Sequence, residues 1–166
     1  KIYRTQISHS ASLLGYSYFE VFLTDLVRAI YSLNPKMLPG DKQIKFSEVV
    51  KANEFQSVIN LMINKEILSL FYGSMEEIIK YFEAKLKLNW PEQSKSQIVM
   101  ASCVRNCIMH NNSEADQRLA QVSEFKVGDK IKLDASDVND YGVMARNLAY
   151  ELYEQAKQRY FEKKVV

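Results

Sequence analysis

The sequence predicts an all-α domain, an antiparallel bundle of long helices with one short extended excursion before the last of them. Three observations carry this. Gly (5) and Pro (3) are scarce in 166 residues, and a chain with few turn-formers favours long helices over a many-stranded sandwich. Apolar residues recur at i, i+3, i+4 and i+7 in several long stretches, the period of a helix with one buried face. Strand-like alternation is confined to Lys130-Ile131-Lys132-Leu133. The length suits one domain around one core, and 47% hydrophobic with 25% charged residues is the balance of a globular chain.

The elements follow in order. Leu13 to Leu33 reads as the first long helix, because Leu13, Tyr16, Phe19, Leu23, Leu26, Val27, Ile30 and Tyr31 share one half of the cylinder. Asn34-Pro35 stops it, since the residue before proline is pushed out of the helical region. Pro39-Gly40-Asp41 marks a loop. The second helix runs from about Glu54 to Tyr72, apolar on most sides through Phe55, Val58, Ile59, Met62, Ile67 and Phe71, which predicts cover on several faces. Gly73 ends it, and Ser74-Met75-Glu76-Glu77 is a capping box for a third helix on Met75, Ile78, Ile79, Phe82 and Leu86. Asn89-Trp90-Pro91-Glu92 opens a fourth, with proline near the first turn. It carries Ile98, Ala101, Cys103, Val104, Cys107 and Ile108 and leaves at Asn111-Asn112. Between Phe125 and Asp134 the period changes; Gly128-Asp129 is a turn and a short strand or small ribbon is expected. A final helix over about Ser136 to Lys163 is built on Tyr141, Ala145, Leu148, Leu152 and Ala156.

Composition narrows the function class only loosely. A net charge of +2 neither predicts nor excludes nucleic acid, because a basic cleft is compatible with a neutral protein. No apolar run approaches a membrane span and no secretory signal pattern is seen at the start, so no membrane partner is expected. Cys103 and Cys107 lie in one helix, which argues against a disulfide framework and for a reducing, cytoplasmic setting. The first residue is Lys1 rather than Met, consistent with a piece of a longer protein. Most of the ten tyrosines fall at core spacing. Lys157, Arg159, Lys163 and Lys164 read as a solvated helix end that is also able to steer a phosphate backbone.

The segment with most chemistry is Arg105-Asn106-Cys107-Ile108-Met109-His110-Asn111-Asn112. It resembles the signature of the HEPN superfamily, an arginine followed by a polar residue and then a histidine about five to seven positions on, near the end of a long helix. The following polar stretch through Asp116, the later Val127-Gly128-Asp129-Lys130-Ile131-Lys132-Leu133 and the early Tyr18-Phe19-Glu20-Val21-Phe22-Leu23 are similar to a branch of that superfamily. Arg4 and His9 have the same spacing, but they precede the predicted first helix and Thr5 follows the arginine, so this pair is set aside.

The resemblance implies a metal-independent ribonuclease working as a homodimer, with RNA as substrate, no cofactor, and an antitoxin or regulatory protein as a further partner. Its products would be a 2′,3′-cyclic phosphate and a 5′-hydroxyl. Elementary chemistry agrees with the residue types. RNA carries its own nucleophile, the 2′-hydroxyl, and cleavage needs a proton carrier and a cation near the phosphoryl oxygens. Histidine serves as acid or base near neutral pH, and arginine presents a fixed fork of donors to a phosphate. His110 is therefore the candidate proton-transfer residue, Arg105 the charge stabiliser and Asn106 the supporting polar group, with Asn111 beside them. Residues five apart sit about 140° apart on a helix, so Arg105 and His110 of one chain need not converge, and a dimer brings two copies of the helix together. Glu20, inside the apolar half of the first helix, needs a partner and is expected to orient Arg105 or a polar neighbour, unless it reaches water at the edge of the stripe.

Two blander readings stand beside these. His110 alone is suited to capping the helix C-terminus, and Arg105 alone to a surface ion pair. Cys103, Cys107 and His110 offer only three of the four ligands a structural zinc wants, so both cysteines are read as small buried apolar residues and no metal is expected. The rival to the nuclease is a non-catalytic HEPN module that binds RNA, a nucleotide or a partner protein.

Overall fold

The computed structural model describes residues 2–40, 43–52 and 54–162. Among these residues there are seven α-helices and no strand: α1 (Ile2–Leu33), α2 (Phe46–Lys51), α3 (Phe55–Phe71), α4 (Met75–Ala84), α5 (Glu92–His110), α6 (Gln117–Val122) and α7 (Ala135–Ala156). The chain is all-α, as its composition and period predict. No described helix is long and apolar enough to cross a membrane. By contacts the chain falls into two compact units, residues 1–21 with 89–152 and residues 22–88 with 153–166.

In the first unit, Trp90 lies edge-on to Phe19, with ring centroids 6.1 Å apart and planes at 87°, the arrangement that ring quadrupoles favour. Pro91 is the N-cap of α5, and Ile98, Cys103, Val104 and Cys107 form its buried stripe. Asp116 starts α6 by accepting the Leu119 N–H at 2.8 Å. Ala115, Leu119 and Ile131 close a core cluster around Cys103, Val104 and Cys107. Each fully buried large aliphatic side chain contributes about 1.5–3 kcal/mol. Asp134 then starts α7, its carboxylate accepting the N–H groups of Ser136 (2.8 Å) and Asp137 (3.0 Å), while Asp137 accepts the Asp134 N–H at 2.8 Å. Ala145, Leu148 and Leu152 are its buried face.

The strand expected over residues 125–134 is not formed. The alternation does bury Ile131 between exposed lysines, and the turn at Gly128 is present with φ +88°. What is missing is a partner of sufficient length. The segment pairs only with Ser113–Ala115, through Ala115 N–H to the Asp129 carbonyl and Ile131 N–H to the Ser113 carbonyl, both 2.8 Å. This gives one antiparallel bridge, Glu114 to Lys130, reinforced by their ion pair at 2.8 Å. Capping by Asp116 and Asp134 turns both sides into helices before a second bridge forms.

In the second unit, α1 buries Leu23, Leu26, Val27, Ile30 and Tyr31. Helix α3 lies within the predicted span, capped by Glu54 and Tyr72. It is covered on one face rather than several, because Ile63, Glu66, Ile67 and Leu70 are buried while Phe55 and Leu68 stand in solvent. The capping box of α4 is formed as read: Ser74 accepts the Glu77 N–H at 3.3 Å, and Glu77 accepts the Ser74 N–H at 2.7 Å. Met75, Ile78, Ile79, Phe82 and Leu86 are all buried. Directly after Ala156 comes a π-type turn over Lys157–Phe161, where the Tyr160 hydroxyl donates to the Leu86 carbonyl at 2.5 Å. Of the predicted elements, Asp41, Lys163 and Lys164 lie outside the described residues. Helix α1 begins well before the predicted Leu13, a difference taken up below.

Glu66 is buried and accepts a hydrogen bond from the Tyr81 hydroxyl at 2.6 Å. That hydroxyl also meets the Tyr31 hydroxyl. Burial and these two bonds push the Tyr81 phenol far above its ordinary range, so it stays a donor. Tyr81→Phe removes one hydrogen bond to the buried Glu66 side chain. It should cost about 1–3 kcal/mol, read as a lower urea midpoint at unchanged slope; an unchanged midpoint would show that the chain contributes nothing net.

Candidate active site

Helical spacing explains where α5 sends its side chains. Ser102 and Arg105 are one turn apart and both face Tyr16 on α1. The Arg105 guanidinium lies over the Tyr16 ring, 5.8 Å from its centroid, a cation–π contact. Ser102 hydrogen-bonds the Tyr16 phenol, and burial outweighs that bond and the Arg105 charge, so the phenol is pushed up to about 12 and stays protonated. Tyr141 of α7 stacks with Tyr16, ring centroids 6.4 Å apart and planes at 22°.

Arg105 also donates through Nη1 to the Asn106 Oδ1 at 3.0 Å. Asn106 in turn sits one turn before His110, the i, i+4 spacing at which side chains are neighbours. His110 is the last residue of α5, continues the stripe of Cys103 and Cys107 beyond the core, and is exposed. Arg105 and Asn106 are thus joined directly, and Asn106 and His110 by register. The guanidinium and the imidazole of one chain are on different sides of α5, about 140° apart.

Asn111 is engaged in shaping the end of the helix. Its N–H bonds the Cys107 carbonyl at 3.0 Å, and its Nδ2 donates to the Glu114 carbonyl at 2.7 Å. The next two residues, Asn112 (φ +51°) and Ser113 (φ +58°), are both left-handed, a conformation that costs a non-glycine residue about 1–2 kcal/mol. Ser113 N–H to the Cys107 carbonyl (3.0 Å), Ile131 N–H to the Ser113 carbonyl (2.8 Å) and Lys130 Nζ to the Asn112 carbonyl (3.2 Å) hold them there. Local strain sits immediately after His110, the kind of place where functional sites store it.

Two residues acquire roles that sequence reading did not give them. Tyr16, read as core, is the platform for Arg105. Contrary to the expectation that they precede the first helix, Arg4 and His9 both lie on α1. Residues 3–12 escaped the periodicity reading because their inner side is lined by half-buried Thr5, Ser8, His9 and Ser12, with no apolar stripe to see. His9 Nδ1 is 3.5 Å from the Ser113 hydroxyl, so this second histidine stands at the turn that follows His110. Its Nε2 is buried without a hydrogen-bond partner among the described residues.

Glu20 lies one turn beyond Tyr16 and is half-buried. Burial raises its carboxyl above the usual value, and the Arg105 charge offsets this only in part. The cysteines are buried in the core cluster, and burial raises the Cys107 thiol above its ordinary range. Among the described residues no three His, Cys, Asp or Glu side chains are grouped to hold a metal.

No family model, curated protein or solved structure matches this chain. Its site is therefore read from its own residues.

The raised Glu20 carboxyl fixes the sign of a pH effect. The folded chain disfavours the charged form relative to the unfolded chain, whose ordinary value is 4.5. The penalty is absent below that value and grows as pH rises through the raised folded one. Glu20→Gln should therefore gain in urea midpoint on wild type between pH 4 and neutrality. A variant that instead loses ground over that interval would mean that pairing with Arg105 outweighs burial.

Proposed function

We propose that this chain is a metal-independent endoribonuclease of the HEPN kind, built as an antiparallel helical bundle and acting as a homodimer. The observation that carries the reading is the run on α5: Arg105 bonded to Asn106, Asn106 one turn from an exposed His110, and a strained turn directly after it. An exposed imidazole is open to a large substrate. A guanidinium already oriented by Asn106 and Tyr16 loses little freedom when a phosphate arrives.

In this reaction the 2′-oxygen attacks the adjacent phosphorus, the bond from phosphorus to the 5′-oxygen breaks, and the 2′-proton is lost as the 5′-oxygen gains one. His110 carries a proton in one of these transfers, and Arg105 stabilises the charge on the non-bridging oxygens. Because the two groups of one chain diverge around α5, His110 of one copy works with Arg105 of another across paired α5 ends. The setting is cytoplasmic, in RNA processing or in a toxin or defence system with a neutralising partner.

One observation favours a second reading. Arg105 is half-buried and engaged by Asn106 and Tyr16, as in a module that keeps the shape and binds RNA, a nucleotide or a protein without cleaving.

Purified protein incubated with RNA in excess chelator separates the two. Cleavage to 2′,3′-cyclic phosphate ends is expected from wild type. His110→Ala should lose about 100- to 10,000-fold and Arg105→Ala about 100- to 1,000-fold. RNA retained but uncut by wild type supports the binding module, and equal cutting by all three proteins removes this site from the reaction.

A further inference from the structure

The start of α1 is inverted relative to an ordinary surface helix. Up to Ser12 its inner side is lined by Thr5, Ser8, His9 and Ser12, before Tyr16 and Phe19 turn in, while along its outer side a row of large apolar side chains faces solvent: Tyr3 is 79% exposed, Ile7 68%, Leu14 56%, Tyr18 67% and Val21 55%. Ile7, Leu14 and Val21 repeat every seven residues, and Tyr3, Ser10 and Ser17 fall between them at the alternate three- and four-residue steps. That is the a/d spacing of a helix that packs on another helix. From Thr5 to Phe19 the chain has no Asp, Glu, Lys or Arg, whereas a solvated helix face normally carries charge. Loss of charge is the compositional mark of an interface core.

We propose that this seam pairs with the same seam of a second copy of the chain. Three features select a second copy. The repeat asks for a helix as the opposing surface. The absence of charge lets identical faces meet without like-charge repulsion and offers a charged partner nothing to read. Small residues, Ser10, Ala11 and Ser17, alternate with the large ones, so that the face has recesses for its own knobs, the self-complementarity a two-fold contact requires. One such recess is a shallow hollow of about 390 Å³ bounded by Tyr3, Gln6, Ile7, Ser10, Ala11 and Leu14. The area is adequate: the exposed side chains amount to roughly 600 Å² per copy, or about 1,200 Å² for the pair, at the lower edge of stable interfaces.

The pairing is separate from the α5 site. Ile7 and Leu14 lie about 160–180° round α1 from Tyr16, so the face that carries Arg105 is left uncovered. This inference therefore does not rest on the nuclease reading.

The test is particle mass by light scattering or sedimentation of the purified chain and of Ile7→Glu/Leu14→Glu. Both positions are solvent-exposed in the single chain, so helix content should be retained, while the melting temperature falls only by what association contributes. The wild-type particle should have at least twice the 19.3 kDa chain mass at micromolar concentration, and the double variant half the wild-type mass. Mixing it with Ile7→Lys/Leu14→Lys should restore the larger particle, since opposite charges then face each other across the seam. A monomeric wild type, or a double variant of unchanged mass, overturns the proposal. Cleavage plays no part in the readout, so a failed nuclease reading leaves this measurement intact.

Discussion

A guanidinium that is half out of water must be met on every side that water leaves, and on α5 this requirement organises the surroundings. Arg105 has the Tyr16 ring beneath it and the Asn106 side-chain Oδ1 at its edge, and its charge reaches Glu20. Tyr16 is in turn fixed by Ser102 and by Tyr141. Removing any member leaves a partly desolvated polar group without its compensation, which costs more than the contact itself contributes. The first half of α1 and the second half of α5 are therefore held in one register by polar contacts that tolerate little sliding. That register brings His9 against the turn after His110.

The turn itself is a second constraint. Two successive left-handed residues without glycine persist only where surrounding bonds over-determine them, and the bonds come from both directions in the chain. Cys107 and Asn111 bind it from the helix behind. Asp129, Lys130 and Ile131 bind it from the far side of α6. The short excursion before α7 thus acts as a clasp on the end of α5 rather than as part of a sheet. Ile131 anchors the clasp in the cysteine cluster, which ties the geometry around His110 to the core.

Much of this was legible in the residues, and what was not has physical causes. The capping box at Ser74, the helix start at Pro91 and the exit at Asn111 depend on side chains within a few positions of one another, so local spacing suffices to read them. The buried stripe of α4 was equally plain because its apolar residues share one face. The short strand or ribbon expected between Phe125 and Asp134 reduces to one bridge, since alternation reports which side chains are buried but not whether a neighbour of equal length exists. Among the candidate site residues, Arg105, Asn106 and His110 stand out through a family resemblance carried by one helix, and of these the structure bonds Arg105 to Asn106. Tyr16 and His9 were not assigned to the site, because their roles arise from contacts with residues some ninety or more positions away and no pattern of period 3.6 encodes those.

The start of α1 shows the same limit from the other direction. Hydrophobic periodicity finds a helix by assuming that its apolar face is the inner one. Here the inner face is made of hydroxyls and an imidazole, and each hydrogen bond it forms contributes only about 0.5–1.5 kcal/mol net. Such contacts fix position well and stabilise weakly. The apolar surface that would ordinarily supply the stability is present on the same helix but turned outward. The start of α1, up to Ser12, gains its orientation from the fold, and would gain apolar burial on meeting another surface. The segment that places Tyr16 under Arg105 and His9 beside Ser113 thus carries, on its opposite side, the apolar surface proposed to pair.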